Sequence, residues 1–171
     1  MRWIWVKFNV ELVKYPHTVG ESGVHLQFTP AYRREVFENP MVRKLLRLYL
    51  ESKTKQMKVV LAGVGMGPEH VHLFVCGFKN YSIAQLVRHL KGFTSRMMRK
   101  NHYKFFNDKL WGKKFWSSGY FHRTVGAVTS DSMEFYVKHS QDKHWKAIDY
   151  DLYKLQKEKQ GNLFDYTSWV Y

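Results

Sequence analysis

The sequence predicts an α+β fold of ferredoxin-like (RRM-like) type, an antiparallel sheet with helices on one face. Two observations carry this expectation. Segments in which apolar and polar residues alternate are interleaved with segments whose apolar residues recur at helical spacing. Their order is strand, helix, strand, strand, helix, strand, helix, with one further strand in front. No internal repeat, low-complexity tract or linker interrupts the series, so residues 1–171 are expected to form a single domain.

Residues 2–14 open with strand alternation, Ile4, Val6, Phe8, Val10 and Leu12 on one side and Trp5, Lys7, Asn9 and Glu11 on the other. YPHTVGESG (15–23) is expected to turn, and VHLQFTP (24–30) is the second strand, stopped by Pro30. A helix follows, with Asn39 as N-cap and Pro40 at its first position, where a missing N–H costs nothing. Its expected apolar stripe is Val42, Leu45, Leu46, Leu48 and Tyr49. MKVVLAGV (57–64), a GMGP turn and EHVHLFVCG (69–77) make a hairpin. A second helix is expected over 81–101, starting near Ser82, and then a basic, aromatic loop, FFNDKLWGKKFWSS. GYFHRTVG (119–126) is the last strand, and 130–145 a helix with Asp131 and Glu134 spaced as a capping box. A charged tail ends the chain.

Lys and Arg number 28 against 14 Asp and Glu, a net charge of +14. Such an excess points to a polyanionic partner, nucleic acid first. Aromatic residues make up 17% of the chain, many beside basic ones, as in RREVF and NHYKFFNDKLWGKKFW. Rings stack unpaired bases while Lys and Arg follow the backbone, although more than half of these rings are expected to be core. The lone Cys76 excludes an internal disulfide, and no zinc-type cysteine spacing exists, which fits a reducing compartment. MRWIWVKFNVELVKY carries charges throughout and no small-residue cleavage site, so it is not expected to be a signal peptide. No apolar run reaches the roughly 18 residues of a membrane span. The expected location is the cytoplasm, with no membrane partner.

PEHVHLFV (68–75) is the stretch where chemistry is expected. His70 and His72 stand two apart in a strand, so both imidazoles project from one face. Either they are packing residues that found hydrogen bonds, or they share a cation.

EHVHLFV resembles the histidine–hydrophobe–histidine (HUH) motif of HUH endonucleases. HLQFTPAYRREVF (25–37), SIAQLVRHLKGFTSR (82–96), LWGKKFWSSGYFHRTVGAVTSD (110–131) and FYVKHSQ (135–141) are similar, in the same order, to the blocks of the single-tyrosine HUH transposases. Those enzymes move insertion sequences as single-stranded DNA. The resemblance runs from about residue 25 to 145 and leaves 146–171 as an extension. It implies cleavage and rejoining of single-stranded DNA at element ends, through a 5′-phosphotyrosine link and a free 3′-OH. It further implies one divalent ion, Mg²⁺ or Mn²⁺, per site, DNA hairpins as partners, and a homodimer with sites shared in trans.

Carried residue by residue, the resemblance makes Tyr136, on the C-terminal helix, the nucleophile; periodicity alone would pack it with Met133 and Val137. His70 and His72 become metal ligands. The third is Gln141 by residue type, or His139 (or Ser140) by position on the helix face. His25 either orients the metal site or is an ordinary strand residue. Glu69, as a neighbour of His70, is expected on the opposite face in a supporting or structural role. Arg33, Arg34, Lys91, Arg96 and Arg99 are the expected DNA contacts. Two rival readings remain: a non-catalytic module that binds single-stranded nucleic acid, and a related HUH nickase acting on replication or repeat elements.

Overall fold

The structure, a computed structural model, describes residues 13–15, 18–20 and 22–125, all within one unit, Met1–Thr129. β1 (Val13–Tyr15) pairs antiparallel with β2 (Thr18–Gly20). The stretch read as a turn thus contains a short strand, since Thr18 and Val19 favour extended backbone. The remainder of the strand expected over 2–14 and the helix expected over 130–145 lie outside the described residues.

β3 (Gly23–Phe28) leads through two single 3₁₀ turns to α1 (Pro40–Met57), β4 (Val60–Gly67) and β5 (His70–Cys76). α2 (Ile83–His102) and a looped segment then lead to β6 (Phe121–Val125). The four strands form an antiparallel sheet in the order β4-β5-β3-β6, the interleaved β-α-β arrangement expected from the element order. Pro68 and Glu69 alone close the β4–β5 turn, so Gly65–Gly67, expected within that turn, are paired strand.

Strand alternation sorts the sheet into two faces. Val24, Leu26 and Phe28 of β3 and Val71, Leu73 and Val75 of β5 enter the core with the buried faces of both helices. α1 starts where Asn39 accepts a hydrogen bond from the Met41 amide at 2.9 Å. Its buried stripe is Val42, Leu46, Leu50, Thr54 and Met57. Leu48, expected in that stripe, lies 51% exposed, because two residues from Leu46 and Leu50 is the far side of a helix. α2 opens with a complete capping box, Gln85 N donating to Ser82 Oγ and Ser82 N to Gln85 Oε1. It buries Leu86, Val87, Leu90, Thr94 and Met98.

The basic, aromatic loop divides by position. Phe106, Leu110, Phe115 and Trp116 are core, with Phe115 and Trp116 centroids 4.8 Å apart, edge to face. Backbone bonds Ala31 N to Phe115 O and Ser117 N to Thr29 O lay this segment along the end of β3. Among the described residues no helix is long and apolar enough to cross a membrane.

Candidate active site

The odd residues of β5 are taken by the core, so His70, His72, Phe74 and Cys76 share the other face. β3 lays Gln27 opposite His72 and His25 opposite Phe74. His25 stacks on Phe74, with centroids 4.7 Å apart and planes 8° apart. It also reaches diagonally, setting Nε2 2.9 Å from His72 Nδ1. The His70 and His72 rings stand 4.9 Å apart and nearly perpendicular. His25, His70 and His72 are all buried.

Burial, then the Arg123 charge, holds the His25 imidazole down at about 4. Burial also pulls His72 well below its usual range, with His25 and His70 adding to the effect. His70 is lowered by burial, opposed by the Glu69 carboxylate and helped by Arg33. All three rings are therefore neutral at pH 7, the form in which an imidazole has a lone pair for a metal. The 2.9 Å bond suits two neutral rings, one nitrogen carrying the proton and the other accepting it.

β4 supplies the floor. Gly63, Gly65 and Gly67 lie opposite Phe74, His72 and His70. A Cβ built on Gly67 would overlap Cε1 of His70 and lie 2.8 Å from its Nε2 and 3.0 Å from its Nδ1. The His70 ring occupies space that any side chain at position 67 would take. Sequence reasoning missed this role. Its signal was the alternation in GVGMG, a strand with a bare face.

Glu69 departs from expectation. It sits in the turn, where strand alternation no longer applies, and its Oε1 lies 3.8 Å from His70 Nδ1 and 3.0 Å from Arg33 Nη2. The expected DNA contacts also divide. Arg33, Arg34 and Arg96 are exposed. Lys91 instead spends its three N–H donors on the carbonyls of Ser117, Ser118 and Gly119, at 2.6, 3.2 and 2.9 Å. Arg99 donates to Leu110 O at 2.8 Å and to Lys114 O. Thr94, between them on α2, accepts from Trp116 Nε1 at 2.9 Å. This face of α2 clamps the loop that leads into β6, a job invisible without knowing where the loop returns.

Tyr136, His139, Ser140 and Gln141 lie outside the described residues. Among the described residues, no group of three or more His, Cys, Asp or Glu side chains stands together where it could hold a metal ion. His70 and His72 are two donors of fitting type, neutral and on one face.

The family described as "Transposase IS200 like" matches residues 18–140. The ISDra2 transposase TnpA of Deinococcus radiodurans is 27% identical over 139 residues, 81% of this chain and 98% of that protein. The transposase for insertion sequence element IS200 of Salmonella typhimurium is 30% identical over 129 residues, 72% of this chain and 79% of that one. Among solved structures, a transposase-like protein from Deinococcus radiodurans superposes with a TM-score of 0.59 at 23% identity, covering 75% of this chain and 97% of that one. A REP-associated tyrosine transposase bound to a REP hairpin gives 0.50 at 11% identity, covering 83% and 76%. Both structural likenesses concern the fold.

Proposed function

This chain belongs to the IS200-like transposase family, and from that premise we propose that it cleaves and rejoins single-stranded DNA at the ends of an insertion element. Tyr136 is the nucleophile. Its hydroxyl oxygen attacks the scissile phosphorus, the bond to the 3′ oxygen breaks, and that oxygen takes a proton to leave as a 3′-OH. The other fragment stays on Tyr136 through its 5′ phosphate. Attack on this link by a 3′-OH reverses the exchange, one phosphoester replacing another, so no nucleotide hydrolysis is needed.

The observation that supports this reading is the His70–His72 pair, neutral and side by side, with His72 Nδ1 bonded to His25 Nε2. With the shared proton on His72 Nδ1, the His72 lone pair sits on Nε2, and the bond to His25 holds the ring in that orientation. His70 and His72, with Gln141 or His139 from the tyrosine segment, would hold the ion. A divalent cation held there would supply Lewis-acid polarisation of the scissile phosphate and offset its charge. A phenol with a pKa near 10 is a weak nucleophile at neutral pH, so deprotonation of Tyr136 must be assisted. Arg33, Arg34 and Arg96 contact phosphates, and DNA hairpins at the element ends are the targets. The active species is a homodimer whose Tyr136 segment completes the partner's site.

The test is incubation of the protein with Mg²⁺ or Mn²⁺ and single-stranded oligonucleotides that carry the hairpins flanking its coding sequence. A covalent protein–DNA band on a denaturing gel is expected, lost in chelator. DNA binding without any such band under either metal would favour the non-catalytic binding module.

A further inference from the structure

Two of the most exposed large rings of the described chain stack on each other. Tyr32 is 76% exposed and Trp111 63% exposed, and their planes lie within 8° with centroids 6.4 Å apart. The Arg34 guanidinium lies 4.9 Å from the Trp111 centroid. Burying either ring would be favourable, yet the fold holds both outside.

It does so with effort. Tyr32 adopts φ 59° and Arg33 φ 52°, the left-handed region that side chains other than glycine avoid. Strain of that kind persists only where the surroundings impose it. Here Ala31 N is tied to Phe115 O at 2.9 Å, joining the turn that carries Tyr32 to the loop that carries Trp111. Arg99 bonds Leu110 O and Lys114 O, gripping both ends of the tip that holds Trp111. Leu110 and Phe115 are buried on either side of that tip. The rings are thus presented on a braced tip, with Arg33, Arg34, Lys113 and Lys114 exposed around them.

We infer that Tyr32 and Trp111 form a stacking site for an unpaired base of single-stranded DNA, with Arg34 and its basic neighbours on the flanking phosphates. Every base has a face that stacks on a fixed ring, and the cations match the backbone that carries it. This deepens the proposed DNA-cleaving function, on which it rests, by assigning a contact apart from the histidines.

The experiment measures binding of the full-length protein to an oligo-thymidine strand and to a hairpin duplex with the same number of nucleotides. Tyr32→Gly removes one ring and accepts φ 59° without strain, so loss of folding does not cloud it. Trp111→Ala removes the other, and Trp111→Phe keeps a stacking face. The alanine variant is expected to weaken oligo-thymidine binding about 5- to 150-fold, with duplex affinity nearly unchanged. Trp111→Phe should recover most of the loss. The salt dependence of binding should be unaltered by Trp111→Ala and lowered by Arg34→Ala. Unchanged strand binding in both Tyr32→Gly and Trp111→Ala overturns the inference, and so does an equal loss on strand and duplex. Adduct formation is scored with the native protein in parallel. Adduct formation by the native protein, together with strand binding that does not depend on the rings, overturns this inference alone. Ring-dependent binding without adduct supports it and overturns the cleavage reading instead.

Discussion

His25 Nε2 lies 2.9 Å from His72 Nδ1, across the β3–β5 ladder and on the face opposite the core. A partner of this kind sets the tautomer and orientation of a ligand imidazole. His25→Phe keeps a ring that can stack on Phe74 but removes that nitrogen. Its affinity for Mn²⁺, titrated calorimetrically, is expected to fall about 10- to 100-fold with the fold intact. Native affinity in the variant would show that His72 needs no such partner.

The same burial makes stability depend on pH. An unfolded histidine titrates near 6.5, whereas His25 in the fold titrates at about 4. Between those values the unfolded chain binds more protons than the folded one. The contribution to stability is therefore complete above about pH 6.5 and is lost as pH falls toward 4. His70 and His72 shift in the same direction. Thermal unfolding in chelator should show a falling midpoint across this window, shallower in His25→Phe. A flat midpoint in the native protein would contradict buried neutral rings.

Gly67→Ala places a methyl group where the His70 ring stands. A strand gains roughly 0.5–1 kcal/mol when glycine becomes alanine, so backbone preference alone favours the change. The clash should displace His70 and lower Mn²⁺ affinity and adduct yield at least tenfold. On a His70→Ala background the same methyl finds room, so Gly67→Ala there should not destabilise, a non-additivity that a double-mutant cycle reads directly. Native-like metal affinity in Gly67→Ala would mean that the ring relocates without consequence.

Lys91 and Arg96 belong to the same helix but have different work. Lys91→Met strips partners from the Ser117, Ser118 and Gly119 carbonyls and should cost about 2 kcal/mol in denaturant unfolding. Arg96→Ala, at an exposed position, should stay within about 0.5 kcal/mol of native and act only on DNA affinity. The opposite ranking would reverse the division of the basic residues drawn above.

Tyr136→Phe removes one oxygen and should abolish the covalent adduct while metal and DNA binding persist. Mixing it with His70→Ala,His72→Ala subunits should restore cleavage if sites are shared in trans, since one site then combines an intact pair with an intact tyrosine. Sites built in cis would leave every subunit defective. Adduct formation by Tyr136→Phe alone would direct attention to Tyr120, which is exposed beside His122, or to Tyr150.

Local signals carried much of this in the sequence. Spacing of two placed His70 and His72 on one face, and Asn39 and Ser82 announced their helices, because alternation and capping are decided within a few residues. What stayed hidden depends on distant partners. Leu48 looked like core until the stripe fixed by the sheet took Leu46 and Leu50. The loop-clamping bonds of Lys91 and Arg99 stayed hidden because nothing local says that a loop returns its carbonyls to them. Gly67 carries no side chain to notice, and its importance lies in the ring across the ladder. Trp111 and Trp116 share one basic stretch, yet one is exposed and the other core.

The interleaved strand order also sets a sequence of assembly. The β4–β5 hairpin, closed by two residues, can form from contacts between near neighbours. β3 lies between β5 and β6, so it cannot take its place until the chain has run through α1 and back, nor be flanked fully until α2 has done the same. Ladders joining such distant segments form slowly. His25 and His72 stand 47 residues apart along the chain and meet only through that pairing. A nascent or half-folded chain therefore carries His70 and His72 before the ring that bonds His72 has arrived, and the grouping of the three imidazoles exists only in the finished sheet.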